Sequence, residues 1–170
     1  MTVQIHTPIT PATIGQLKVG DQLEISGTIY TGRDAALPRL VAAIRENRSH
    51  LLGLDLEGGV IFHSAVSIAG IGPTTSNKVE IEESIPVLSE AGIRIHIGKG
   101  GISSATAMGL LKFKSIFAVT PPVSALLTKT ILSERVVAFP EEGIEAIHEL
   151  KVECFPVIVA VCGGESIFDR

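Results

Sequence analysis

The 170-residue chain has no tryptophan, one tyrosine and six phenylalanines, so aromatics make up only 4% of it. The core must therefore be filled by Val, Ile, Leu and Ala, the usual content of mixed and parallel α/β sheets. Only two cysteines are present, Cys154 and Cys162. Two thiols cannot by themselves ligate an iron–sulfur cluster or a structural zinc, and their spacing matches no metal motif. They read as buried free thiols in a reducing compartment. No basic block occurs. Fourteen Lys and Arg against eighteen Asp and Glu leave a net charge of −4, which argues against a nucleic-acid groove. Long apolar runs are also missing, and the stretch 157–162 falls far short of a membrane span. The first residues show no basic leader ahead of an apolar run, so no signal peptide is expected and the cytoplasm is the expected location.

What the chain does contain is aliphatic. Apolar residues make up 45% of it and the mean hydropathy is +0.41. A lean, well-buried core gives such a value, and so does a surface covered by another subunit. The length suits one domain spanning residues 1–170. Short apolar strands are expected at 3–6, 23–30, 60–66, 93–97, 115–119, 136–139 and 155–161. Helical patterns fall between them. One of about a turn opens at Thr10-Pro11, and another carries Leu40, Val41 and Ile44 behind a cap at Asp34 or a neighbour. Further ones cover 82–90, ending at Gly92, and 103–111, capped by Ser103-Ser104. The last two cover 123–131 and 141–150, with Glu141 and Glu142 near the positive end of the latter. Residues 70–76 read as a loop by composition. Alternating strands and helices indicate an α/β fold. The strand-rich first half argues against a plain doubly wound sheet.

Three glycine-containing loops join a flexible backbone to cations or hydroxyls. In Thr31-Gly32-Arg33-Asp34, Arg33 offers a planar fork to a carboxylate. The same residues would also make a capped helix with a surface ion pair. Gly72-Pro73-Thr74-Thr75-Ser76-Asn77-Lys78 places three hydroxyls and a cation ahead of a helix N-terminus, a place suited to anions. An ordinary N-cap with spare hydroxyls is the alternative. Gly98-Lys99-Gly100-Gly101 comes after a strand and lacks the spacing of a P-loop. Together, Arg33, Lys78 and Lys99 with Thr74, Thr75 and Ser76 suit a substrate with two carboxylates. The five histidines, His6, His50, His63, His96 and His148, show no metal spacing. His63 and His96 lie in strand-like runs and read as structural.

Four places in order span nearly the whole chain: residues 26–36 (Ser-Gly-Thr-Ile-Tyr-Thr-Gly-Arg-Asp-Ala-Ala), 70–76 (Gly-Ile-Gly-Pro-Thr-Thr-Ser), 97–100 (Ile-Gly-Lys-Gly), and Glu145-Ala146 ahead of Phe155-Pro156. In this set the chain resembles the β subunit, or C-terminal domain, of class I (iron–sulfur) fumarate hydratases and L-tartrate dehydratases. The resemblance implies a swivelling β/β/α three-layer domain and reversible addition of water to a small dicarboxylate. It implies a 4Fe–4S cluster held by a larger α subunit, with one iron acting as Lewis acid, and no metal held by this chain. It also implies a site shared between the two chains, in a dimer of such pairs. Position by position, Thr74 would be the proton-abstracting residue, and Arg33, Thr75, Lys78 and Lys99 would contact substrate. A threonine needs nearby cations to act as a base, and Lys78 and Lys99 are the candidates. The chain departs from the family pattern at Leu37, where a histidine is usual, at Ser64-Ala65, where Gly-Pro is usual, and at Lys78-Val79-Glu80, where Arg-Met-Asp is usual. These departures keep two other readings open. One is a non-catalytic or regulatory small-anion-binding module of the same fold. The other is a self-sufficient protein using the three loops alone.

Overall fold

The computed structural model describes residues 2–67, 70–74 and 78–169, with side chains at all of these except 67, 70–74 and 78–81. The protein is a mixed α/β structure. Strand β1 (Thr2–His6) runs parallel to the first half of β2 (Gln22–Thr31), and the short helix α1 (Pro11–Gly15) lies between them in sequence. Thr10 caps α1, its side chain accepting from the Thr13 N–H at 3.2 Å. Helix α2 (Leu37–Arg45) leads through a 3₁₀ turn (Ser49–Leu52) to β3 (Val60–Phe62). A separate two-stranded hairpin comes next, β4 (Ser64–Ser67) and β5 (Gly70–Thr74). Then come α3 (Lys78–Glu90), β6 (Ile95–Gly98), α4 (Ser104–Lys112), β7 (Ile116–Val119), α5 (Ser124–Lys129) and β8 (Ile131–Ala138). A 3₁₀ segment (Pro140–Glu145) precedes the sixteen-residue β9 (Ile147–Cys162), and β10 (Glu165–Ser166) and a final 3₁₀ turn close the chain.

The pairings close a ring. β2, β3, β6 and β7 are consecutive parallel neighbours, and β9 runs antiparallel to both β7 and β2. Ile25, Ile29, Val60, Phe62, Ile95, Ile97, Ala118, Leu150, Phe155 and Val159 belong to the apolar cluster inside it. Phe62 and Phe155 meet there edge to face at 5.7 Å. Alternate residues of the same strands face outward. Tyr30, Ile61 and Ile147 pack with Leu37, Leu40 and Val41 of α2 and Leu88 of α3, while Phe117 and Val161 pack with Ala107 and Leu110 of α4. This two-residue alternation is what lets short apolar strands serve two layers at once.

One strand closes the ring because a bulge bends it. β9 pairs with β2 from Gln22↔Ile158 to Thr31↔His148, with a register shift between Ile25 and Gly27. There Glu153 and Cys154 together oppose Ser26, and Cys154 takes φ 56° with its N–H on Ser26 Oγ at 3.0 Å. Such a bulge kinks the strand and raises its twist. It turns β9 from its β8 neighbour at residues 147–152 to its β7 neighbour at residues 158–161.

Several local expectations are corrected. Residues 141–150 do not form a helix. Gly143 has φ 62°, and from Ile147 onward the chain pairs with both β2 and β8. The spacing of Ile144, Ile147 and His148 mimics a helical stripe, but pairing on two sides overrides it. The expected helix 123–131 stops at Lys129, and residues 131–138 form β8. Residues 70–74 are a strand rather than a loop. The expected strand 60–66 is split at His63, where the chain leaves the ring for the hairpin. Asp34 does not cap α2. The N-cap is Ala36 with no side-chain cap, and the loop is held instead by Ala35 N–H donating to Glu145 Oε1 at 3.3 Å.

A buried polar chain links α3, β6 and the end of β3. Ser89 Oγ is 2.8 Å from His96 Nε2, and His96 Nδ1 is 3.4 Å from His63 Nε2. Both imidazoles are fully buried. Desolvation pushes His63 down to about 4 and His96 well below its usual value, His63 adding to the latter.

This packing leads to two expected outcomes. Gly92, after α3, has φ +120°, and a Cβ there would lie 2.7 Å from Glu57 Cα. Gly92→Ala should cost more than about 2 kcal/mol by urea denaturation; an unchanged midpoint would refute that crowding. The neutral histidines bind fewer protons folded than unfolded between about pH 6.5 and pH 4. Their stabilisation is therefore complete above pH 6.5 and is lost as pH falls. Unfolding free energy should drop by about 2 kcal/mol from pH 7 to pH 5 through His63 alone. A His63→Phe protein should flatten this slope, and an unaltered slope in that variant would show that other groups set it.

Candidate functional site

The parallel strands β2, β3 and β6 all end on one side of the ring, and ligands of parallel sheets bind beyond such carboxyl ends. The residues just past these ends are Gly32-Arg33, His63 and Lys99-Gly100, in the spatial order of the strands. Since β3 lies between β2 and β6, the first and third loops begin roughly 10 Å apart. The first residue of the antiparallel β9 lies at the same end, as does the last of β8.

Three buried polar atoms in this region have no hydrogen-bond partner among the described residues: Thr31 Oγ1, Arg33 Nε and His63 Nδ1. Leaving such an atom unpaired costs roughly 1–3 kcal/mol. Their grouping at adjacent strand ends marks a place built for something more than the chain's own core. Thr31 comes after Ile29 on the inward face and is 1% exposed. His63 leaves β3 on the outward face, over His96, with its Nε2 side held by the Ser89 chain.

The fold gathers several of the sequence-derived residues, and others lie outside the described residues. Arg33 is half-buried in the loop after β2, and its backbone carbonyl accepts from the N–H groups of Ala36 and Leu37. Lys99 is exposed directly after β6. Thr74 ends β5, and its backbone pairs with Ser64, the residue after His63. This brings the hairpin that carries it to the end of β3. The side chain of Thr74 lies outside the described residues, as does that of Lys78, which begins α3. Thr75 and Ser76 lie outside them entirely. The fold thus brings Arg33, Lys99 and the Thr74 backbone to one end of the ring. Leu37, at the usual histidine place, is 4% exposed and packs in the core beside Gly32.

Sequence reasoning did not single out Thr31, Glu145 or His148 as members of the site. Glu145 binds the loop at Ala35 from the segment before β9, tying residues 140–146 to the Arg33 loop. His148 was hidden inside an expected helix, while it sits on β9 directly opposite Thr31. The outer face of the same strands carries a second polar group. Burial raises the Tyr30 hydroxyl, which accepts the Asp55 N–H at 3.0 Å. The Arg135 guanidinium holds Glu149 below the usual carboxylate range.

The chain's own residues do not fit an iron–sulfur cluster. Cys154 and Cys162 lie on one strand, roughly 25 Å apart along it. Cys162 Sγ donates to Leu17 O, and burial raises its thiol. No group of three or more His, Cys, Asp and Glu that could hold a metal occurs among the described residues. No helix among them is long and apolar enough to cross a membrane.

The L(+)-tartrate dehydratase subunit beta of Escherichia coli K12 is 30% identical over 169 residues, covering 92% of this chain and 81% of that protein. A putative L(+)-tartrate dehydratase subunit beta of Methanocaldococcus jannaschii is 31% identical over 177 residues, covering 95% and 89%. A putative fumarate hydratase class I of Geobacillus stearothermophilus is 30% identical over 171 residues, covering 95% of this chain but 32% of the longer protein. The model of the fumarase C-terminus family matches residues 1–170, from the first residue to the last, and the chain belongs to that family.

Proposed function

We propose that this chain is the β subunit of a hydro-lyase that adds water to, or removes it from, a small dicarboxylate of the fumarate/malate or tartrate kind. The observation that carries this reading is the grouping of Arg33 and Lys99 at the same end of the ring, on either side of the β3 end, beside buried polar atoms without partners among the described residues. Membership of a family whose relatives are named dehydratases and hydratases supports it. The finer architecture is the swivelling β/β/α three-layer domain, supported by the strand ring with helices packed on its outer face.

Arg33 and Lys99 neutralise the two carboxylates, and the planar Arg33 fork fixes one of them in orientation. In the dehydrating direction a base removes the proton beside one carboxylate. The electron pair left on carbon forms the double bond as the hydroxyl departs from the neighbouring carbon. Thr74 is that base. Its hydroxyl is far too weak an acid to give an alkoxide unaided, so Lys78 and Lys99 supply the stabilising charge. Thr75 contacts substrate alongside it.

The 4Fe–4S cluster is carried by a partner α subunit, since this chain cannot ligate one. The side chains of Val123, Leu126 and Ile144 are exposed. Val123 and Leu126 come after the end of β7, and Ile144 is next to Glu145. Apolar groups beside the strand ends suit coverage by that partner, in a dimer of such pairs in the cytoplasm. The filled, apolar place at Leu37 favours a second reading, an anion-binding module without turnover.

The complex purified anaerobically with its partner should hydrate fumarate or dehydrate a hydroxy dicarboxylate. Thr74→Ala should abolish turnover while leaving substrate affinity nearly intact, and unchanged turnover would remove Thr74 from the mechanism. Arg33→Lys keeps the charge but loses the fork, so KM should rise about tenfold or more. Tight binding of dicarboxylate with no turnover by the unaltered complex would establish the module instead.

A further inference from the structure

His148 has a fixed tautomer. Its Nδ1 lies 2.9 Å from the carbonyl oxygen of Ala146. A carbonyl can only accept, so Nδ1 carries the proton, and in the neutral ring Nε2 holds a lone pair. Nε2 has no hydrogen bond among the described residues. The ring is 6% exposed and lies at the first turn of backbone into β9, on the inward face with Leu150 and Val152. Its direct neighbour across the ladder is Thr31, whose Oγ1 is buried and also unpaired. Opposed side chains of this kind stand about 5 Å apart at Cβ. Two residues beyond Thr31 is Arg33, with Nε buried and unpaired.

The anchor of this histidine is tied to the same loop. Ala146 comes directly after Glu145, whose carboxylate accepts the Ala35 N–H. The other neighbours do not compete for it. Glu149 faces the outer side, held by Arg135 at 3.2 and 3.3 Å, and across β8 the partner position is Val136. The site end of the ring therefore contains donors, at Arg33 and the Thr31 hydroxyl, beside a lone-pair acceptor at His148 on the inward face. Carboxylates use only the donors. An acceptor among them suits a substrate that also brings an O–H group.

We propose that His148 is a specificity-determining residue of this site, its Nε2 accepting a hydrogen bond from a second hydroxyl of the substrate, while Thr31 and Arg33 donate to the neighbouring oxygens. The inference rests on the hydro-lyase reading above and narrows its substrate to dicarboxylates bearing a hydroxyl on each central carbon. The first hydroxyl is the one lost as water, and the second is the one His148 recognises.

The test uses the complex with its partner and compares a dihydroxy acid, tartaric acid, with a monohydroxy acid, malic acid. His148→Asn retains an N–H to reach Ala146 O and removes the Nε2 acceptor. It should lower kcat/KM for tartaric acid about tenfold or more, mostly through KM, and change that for malic acid by less than about threefold. Thr31→Val keeps the shape of the side chain and should shift the same ratio in the same direction. Calorimetric affinities for both acids should track the kinetics. Equal losses on both acids, or none on either, overturn the proposal while leaving the hydro-lyase reading intact, as does an unaltered complex that turns over malic acid alone. A complex that binds and converts neither acid overturns both.

Discussion

Everything in this structure leans on the pairing of β9. Its sixteen residues bond to β8 and β2 at one end and to β2 and β7 at the other. Without that double role the strands β2, β3, β6 and β7 would form an open sheet with bare edges, a state that exposes backbone groups to unwanted pairing. The bulge opposite Ser26 makes the double role feasible, because one extra residue bends the strand from one partner to the next. Gly27 lies at the same point, where φ +114° and the nearness of Thr7 Oγ1 leave no room for a side chain.

Closing the ring also creates the end that carries the candidate site. Inside, aliphatic side chains fill the space. At the end where the parallel strands stop, the side-chain atoms Thr31 Oγ1, Arg33 Nε and His63 Nδ1 are buried without a hydrogen-bond partner among the described residues. Buried polar atoms are usually paired, so a group of them without partners calls for another group to meet them. The hairpin β4–β5 is brought to this place by the break at His63, which takes the chain out of the ring. Fold and site therefore have one cause. The strands β2, β3 and β6 end together, and the segments leaving them carry the cations, hydroxyls and imidazole of the site.

The proposed division of chemistry comes from composition. This chain carries cations, hydroxyls and imidazoles at the site but too few thiols, too far apart, for a cluster. In the proposed reading, binding and orienting a doubly charged substrate fall to it, and a cluster falls to a partner. Val123, Leu126 and Ile144, left exposed beside the strand ends, fit a surface completed by a second chain.

Much of this was written in the residues. The aliphatic composition, the alternation in β2 and β6 and the caps at Thr10 and Ser103 obey local rules, since each depends on near neighbours alone. The four ordered motifs identified the family from one end of the chain to the other, and the loops of Arg33, Thr74 and Lys99 were visible as joined glycines, hydroxyls and cations. Other features depended on distant partners. Residues 141–150 carry a helical spacing, and only the ladders to β2 and β8 make their latter part a strand. Residues 70–74 look like a loop until β4 pairs with them. Thr31 and His148 are 117 positions apart (148 − 31), and no local pattern announces that they face each other. Sequence by itself determined the aliphatic core, the charge and the chemical groups on offer, because those are properties of composition and short range. Tertiary structure alone decided which polar atoms are left unpaired and which of them meet, because burial and register exist only once the ring is closed.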